Sequence, residues 1–124
     1  MNALQLLAIA AGGAIGAVLR ALMSVWIPTE FPWATFVVNV VGSLIIGFIF
    51  GLEATHLTLH PHLRVFLTAG FCGALTTFST FSYQTLSLFN TGQTSLALVN
   101  IALNVVITLV AVWGGLKLAT AIFA

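Results

Sequence analysis

Charged residues are almost absent from this sequence of 124 residues, since three Lys or Arg and two Asp or Glu make up only 4% of it. Soluble domains are usually about one quarter charged. So few charges cannot cover a water-facing surface, and 60% of the residues are hydrophobic. The composition therefore excludes a soluble globular protein and predicts an integral membrane protein. The net charge of +1 also excludes a polybasic surface for nucleic acid.

Cysteine is rare in the sequence, and positive charge is absent from its first residues. Cys72 is the only cysteine, which excludes an intrachain disulfide, and we expect it to be a small buried packing residue. The first residues, MNALQ, lack the positive charge of a signal peptide. The first apolar run is therefore expected to remain as a helix.

The prolines and charged residues divide the chain into four apolar stretches. They cover about residues 4–27, 33–52, 65–89 and 95–123, with a short polar loop at 54–64. A helix needs about 20 apolar residues to cross a bilayer. We therefore predict a single all-α domain over residues 1–124 with four transmembrane helices.

Hydroxyl side chains cluster in the third stretch, where residues 70–82 read GFCGALTTFSTFS. Five of the seven residues in 76–82 carry hydroxyls, and Gly70 and Gly73 precede them. Glycine and β-branched residues disfavour a regular helix. The alternative is a continuous helix whose hydroxyls bond to its own carbonyls. We favour a helix that is broken within the membrane, which is tolerated where backbone groups line a cavity or bind an ion.

Two other stretches carry polar residues at helical spacing. In the second they are Asn39, Ser43 and Gly47, and in the fourth they are Asn100, Asn104 and Thr108. A single membrane Asn is most often a hydrogen-bonded contact between helices. Two aligned stripes beside a broken helix favour the other interpretation, the wall of a polar path.

The polar path has no carboxylate, because the two acidic residues, Glu30 and Glu53, fall at the ends of stretches. Cation and proton transport commonly use carboxylates within the membrane. Amide and hydroxyl donors suit an anion instead, and Phe78 and Phe81 lie on one face with electropositive ring edges. Arg20 could attract anions to an entrance, or extend to the interface as membrane arginines do.

Three motifs resemble one protein family in order and spacing. Residues 12–20 read GGAIGAVLR, residues 32–42 read PWATFVVNVVG, and residues 70–82 carry the signature given above. The chain resembles the small fluoride channels, the Fluc family, over essentially its whole length. The resemblance implies an antiparallel, dual-topology homodimer in a cell membrane, the inner membrane of a bacterium. Its two pores would passively release cytoplasmic fluoride.

The charge distribution agrees with dual topology. If the N-terminus is cytoplasmic, Arg64 and Lys117 lie on the cytoplasmic side and Arg20 lies towards the other. A bias of two against one is too small to fix one orientation by the positive-inside rule.

The resemblance also implies roles for individual residues. Phe78 and Phe81 would turn their ring edges to fluoride, Asn39 would donate a hydrogen bond to it, and Arg20 would lie near an aqueous vestibule. Ser79, Thr80 and Thr108 would be further polar residues of the fluoride pore. We add Asn104 to the pore from its place in the polar stripe of the fourth stretch. The main-chain carbonyls of Gly73 and Thr76, from both subunits, would hold a structural sodium ion at the dimer axis. Gln84 stands where the family usually has Glu, which puts any role for a carboxylate there in doubt.

Two rival classes are weighed against this interpretation. A proton-coupled exporter of the small multidrug type also has four helices and dual topology, but it needs a membrane carboxylate. A haem- or quinone-binding anchor needs histidines within helices, whereas His56, His60 and His62 fall in the predicted loop. We interpret these histidines as solvated loop residues rather than a His-x₃-His-x-His metal site. No nucleophile–base pair or phosphate-binding loop is recognisable, so we do not expect an enzyme.

Overall fold

The computed structural model describes residues 1–124, and its secondary structure is entirely helical. Four helices are long and apolar enough to cross a membrane: Ala3–Trp26 (the first span, α1), Trp33–Ala54 (the second span, α2), Pro61–Asn90 (the third span) and Thr94–Phe123 (the fourth span). The prediction of an all-α, multi-pass membrane protein with four spans is confirmed.

The third and fourth spans are not regular helices. The third consists of α3 (Pro61–Val65), a π-helical segment (Phe66–Cys72), α4 (Gly73–Leu75) and α5 (Phe78–Asn90). The fourth consists of α6 (Thr94–Ala102), a π-helical segment (Leu103–Ile107) and α7 (Thr108–Phe123). The π-helical segments were not foreseen, and such segments often occur at functional sites.

The helix ends follow from local chemistry. The Asn2 side chain accepts a hydrogen bond from the Gln5 amide (2.9 Å), and the Gln5 side chain accepts one from the Asn2 amide (3.0 Å). This capping box satisfies two amides that have no partner within α1. The predicted loop at 54–64 is too long, because α3 begins at Pro61. Proline suits the first turn of a helix, where its missing N–H is not needed. His62 therefore lies in a helix and not in the loop.

Small residues bring the helix backbones together in two pairs. α1 packs on the first half of the third span, where a Cβ at Gly70 would lie 2.7 Å from the Ile9 carbonyl oxygen. α2 packs along α7, where a Cβ at Gly51 would lie 2.7 Å from the Leu116 carbonyl oxygen. Such close approach is how membrane helices hold together without a hydrophobic driving force. The two pairs leave the break of the third span between them.

Candidate functional site

The third span is broken at Thr76 and Thr77. Both residues are extended, with φ −84° and ψ 155° at Thr76 and φ −151° and ψ 123° at Thr77. The predicted break is confirmed, and the alternative of a continuous helix is wrong. The hydroxyls of both residues form hydrogen bonds with nearby main-chain groups. Thr76 Oγ1 donates to the Cys72 carbonyl (2.8 Å), and Thr77 Oγ1 accepts from the Thr80 amide (3.1 Å) at the start of α5.

Side chains from the first two spans hold this break. The Thr77 amide donates to Asn39 Oδ1 (2.8 Å), and Asn39 Nδ2 donates to the Thr77 carbonyl (3.2 Å). Arg20 Nε donates to the Ala74 carbonyl (2.9 Å), at the negative end of the half-helix. Because the Thr77 amide is taken by Asn39, the Gly73 carbonyl lacks the donor that a continuing helix would supply.

The two polar stripes meet at Asn39 and Asn104, as Asn39 Nδ2 also donates to Asn104 Oδ1 (3.1 Å). Asn104 Nδ2 then donates to the side-chain oxygen of Asn100 (3.0 Å), and Asn100 Nδ2 donates to Thr85 Oγ1 (2.9 Å). The Thr85 hydroxyl donates to the Phe81 carbonyl (2.8 Å). We call these four side chains the amide relay. Sequence reasoning missed Thr85, although the spacing of 77, 81 and 85 places it on the face of Thr77 and Phe81.

An open groove of about 370 Å³ lies on one side of the break. Seven of the predicted site residues line it: Asn39, Gly73, Thr76, Phe78, Phe81, Asn104 and Thr108. Thr108 Oγ1 donates to the Asn104 carbonyl of its own helix. The structure therefore brings the Asn39 and Asn104 amides, the Thr108 hydroxyl and both phenyl rings into one groove.

A second cavity of about 270 Å³ contains Arg20, Thr80 and Gln84. Gln84 Oε1 is buried there and has no hydrogen-bond partner. Thr77 lines both this cavity and the groove, so the two spaces adjoin at the break. Ser79 lines neither; it is exposed, with its Oγ 3.3 Å from Thr77 Oγ1.

The two phenylalanines differ in their surroundings. Their ring centroids are 5.5 Å apart, with the ring planes inclined at 53°. Phe81 is buried in the protomer (8% exposed), whereas Phe78 is 78% exposed. The Phe78 ring is therefore free to contact an ion, lipid or another chain.

Neither acidic residue lines the groove or the second cavity. Glu30 is in the connection between the first and second spans, and Glu53, near the end of α2, forms an ion pair with Arg64. The Arg64 guanidinium also lies 5.6 Å from the Phe50 ring centroid, so the pair joins the ends of the second and third spans. The groove and the second cavity contain one formal charge, that of Arg20.

The histidines form no metal cluster. The His60 and His62 rings stack with centroids 4.9 Å apart, and their Nδ1 atoms lie 3.3 Å apart. No group of three or more His, Cys, Asp or Glu side chains is placed to hold a metal ion. Cys72, as expected, is buried (2% exposed).

Comparison with known proteins agrees with this architecture. The family model described as CrcB-like protein, Camphor Resistance (CrcB), matches residues 7–116. A protein of Thermococcus kodakarensis named fluoride-specific ion channel FluC is 46% identical over 121 residues, which cover 96% of this chain and 98% of that protein. A protein with the same name from Methanococcus aeolicus is 45% identical, over 90% of this chain and 91% of that protein. Another, from Flavobacterium psychrophilum, is 42% identical, over 90% of this chain and 93% of that protein. With a family match over most of the four spans, this chain belongs to the CrcB family.

Proposed function

We propose that this protein is a fluoride channel that lets fluoride leave the cytoplasm passively. One observation carries the proposal: two cavities adjoin at a break in a membrane helix, lined by amide and hydroxyl donors and phenyl rings, with no carboxylate. Such a lining suits an anion that has lost part of its water shell. The name of the curated relatives supports fluoride as the ion.

The residues have distinct roles in this proposal. The ring edges of Phe78 and Phe81 face the ion, and Arg20 raises the local concentration of anions in the second cavity. Asn39 supplies an N–H donor; an ion arriving there would take the hydrogen that now bonds to Asn104 Oδ1. The hydroxyls of Thr108 in the groove and of Thr80 in the second cavity continue the polar lining on either side of the break. Ser79 lines neither cavity in the protomer, and in this proposal it is exposed beside the pore.

The working unit in this proposal is an antiparallel homodimer with two pores. Phe78 and Gly73 are exposed in the protomer and the groove beside them is open, so a second copy would enclose them. Cysteines placed at each terminus, in a Cys72→Ala background, should be labelled from both sides of the membrane. Labelling from one side only would rule out dual topology.

We also propose that the Gly73 and Thr76 carbonyls of the two subunits bind a structural sodium ion. The Gly73 carbonyl lacks a helical donor, and no acidic side chain lies near it. Divalent cations usually require carboxylates, whereas neutral carbonyls can replace the water shell of a monovalent cation. Replacing sodium with a bulky organic cation should weaken the dimer; a dimer equally stable after prolonged sodium removal would argue for an ordered water instead.

The exporter alternative gains no support. A proton-coupled exporter needs a titratable carboxylate in its path, and the two acidic residues lie outside both cavities. The relatives are named as channels.

The function can be tested with purified protein in liposomes loaded with fluoride or chloride. The proposal expects rapid fluoride efflux and no chloride efflux above that of empty liposomes. Absence of fluoride efflux from protein that is folded and inserted would refute it.

A further inference from the structure

The amide relay contains two residues that line neither cavity. Asn100 is 1% exposed and Thr85 is 7% exposed, and both are absent from the walls of the groove and the second cavity. Buried polar groups in a membrane protein are costly unless they are fully hydrogen-bonded. The relay gives these buried groups their hydrogen bonds, but two apolar side chains at residues 85 and 100 would need no hydrogen bonds. The polar pair therefore needs a further explanation.

The direction of the hydrogen bonds in the relay explains why this buried pair is polar. At one end of the relay, the Thr77 amide can only donate, so Asn39 must present its oxygen to Thr77 and its nitrogen to Asn104. At the other end, the single Thr85 hydroxyl hydrogen is given to the Phe81 carbonyl. Thr85 can then only accept from Asn100, which turns the Asn100 oxygen to Asn104. The two ends impose the same orientation on the amides between them.

Reversing the relay is unfavourable. If the Thr85 hydroxyl turned to donate to Asn100, the Asn100 amide would have to rotate and present its NH₂ group to Asn104 Nδ2. That nitrogen cannot turn away, because it also donates to the Asn100 main-chain carbonyl (2.9 Å), so donor would face donor. The Thr85 acceptor thus keeps the Asn100 oxygen on Asn104, and Asn104 in turn accepts from Asn39, whose own orientation is set by its two bonds to Thr77.

We infer that Thr85 and Asn100 are positioning residues for anion passage: they hold Asn104 in place, and Asn104 accepts from the Asn39 N–H that is proposed to meet the ion. The same hydroxyl anchors the Phe81 carbonyl, so the amide donor and the buried phenyl ring are joined in one hydrogen-bonded unit. This inference rests on the proposed function for its transport consequence. Its structural consequence can be measured without transport.

The test compares Thr85→Val with Thr85→Ser. Valine keeps the shape of threonine but can neither accept from Asn100 nor donate to Phe81, whereas serine keeps the hydroxyl. Thr120→Val is the matched control, because the Thr120 hydroxyl bonds only to carbonyls of its own helix (3.2 and 3.0 Å). We expect fluoride efflux to fall by about tenfold in Thr85→Val, as for the loss of one buried hydrogen bond. Thr85→Ser and Thr120→Val should stay close to the unmodified rate.

A second readout is the side-chain amide signals of Asn39 and Asn104 in ¹⁵N NMR spectra of the protein in micelles. They should shift in Thr85→Val and return in Thr85→Ser, although residue 85 does not contact Asn39. Unmoved Asn39 signals, an unmodified efflux rate in Thr85→Val, or equal slowing in valine and serine would each overturn the inference. If the unmodified protein carries no fluoride, the proposed function fails, while the NMR comparison still decides whether the relay connects residue 85 to Asn39.

Discussion

The second helix, Trp33–Ala54, borders two regions that differ in chemistry. Towards its end, Gly47 and Gly51 lie against the backbone of α7, and a Cβ at Gly47 would overlap the main chain of Val112. Near its start, Asn39 replaces hydrogen bonds that the broken third span cannot make for itself. The first contact depends on the absence of side chains, and the second depends on one specific side chain. Stability and transport should therefore be separable along a single helix.

The largest effect is expected where the backbones touch. Gly47→Ala would place a methyl group inside the Val112 main chain, and neither helix can yield without moving the other. We expect folded stability to fall by about 1–3 kcal/mol or more, the usual cost of overpacking. The thermal midpoint in detergent measures it. Gly114→Ala, whose Cβ would meet nothing within 4 Å, is the matched control and should unfold no earlier than the unmodified protein. Equal thermal midpoints in the Gly47→Ala and Gly114→Ala variants would show that the helices leave room for a methyl group between Gly47 and Val112.

Asn39→Leu tests the contact between the second helix and the break. It removes both bonds to Thr77 and the donor proposed for fluoride. We expect efflux to fall at least about tenfold, since buried groups are left unsatisfied. Asn90→Leu, at the exposed end of α5, is the control. If Asn39→Leu instead dissociates the dimer, Asn39 acts as a contact between helices and the proposed ion donor is lost.

The sequence predicted features of both regions that border the second helix. It located the break, because clustered Thr and Ser after two glycines disfavour a helix, and it identified Asn39 and Asn104 from their helical spacing. It placed Gly47 on the face of Asn39, but eight residues rotate a helix by about 80° from its starting face, and Gly47 does not line the groove. The small-xxx-small spacing of Gly47 and Gly51 is typical of closely packed membrane helices, and both glycines do pack on α7. The π-helical segments and the bonds from Arg20 and Thr85 depend on contacts between distant helices, which local patterns do not encode.

Replacement of the two phenylalanines is expected to have different effects on stability. Phe78→Ile should slow efflux roughly two- to tenfold, matching the about 0.5–1.5 kcal/mol of an aromatic interaction, with no loss of protomer stability because Phe78 is 78% exposed. Phe81→Ile should slow efflux and also lower the thermal midpoint, because Phe81 is buried. Efflux and melting measured on the same samples separate the two effects. Unchanged efflux in both variants would mean that the rings only pack.

The smallest effect is expected at Thr76. Its hydroxyl bonds only to the Cys72 carbonyl of its own helix, and the proposed sodium contact uses its main chain. Thr76→Val should therefore change folded stability by less than about 1 kcal/mol, the size of one ordinary hydrogen bond, and should leave the dimer intact in sodium. A dimer that falls apart on this change would indicate that the hydroxyl itself binds the ion.

The reversal potential of the current shows whether the break of the third span forms a passive path for fluoride. Purified protein in a planar bilayer is placed between solutions with opposed gradients of fluoride and chloride and with different pH on the two sides. We expect a current whose reversal potential follows the fluoride gradient alone. A reversal potential that follows chloride, or that moves with the pH difference as proton coupling requires, would contradict it.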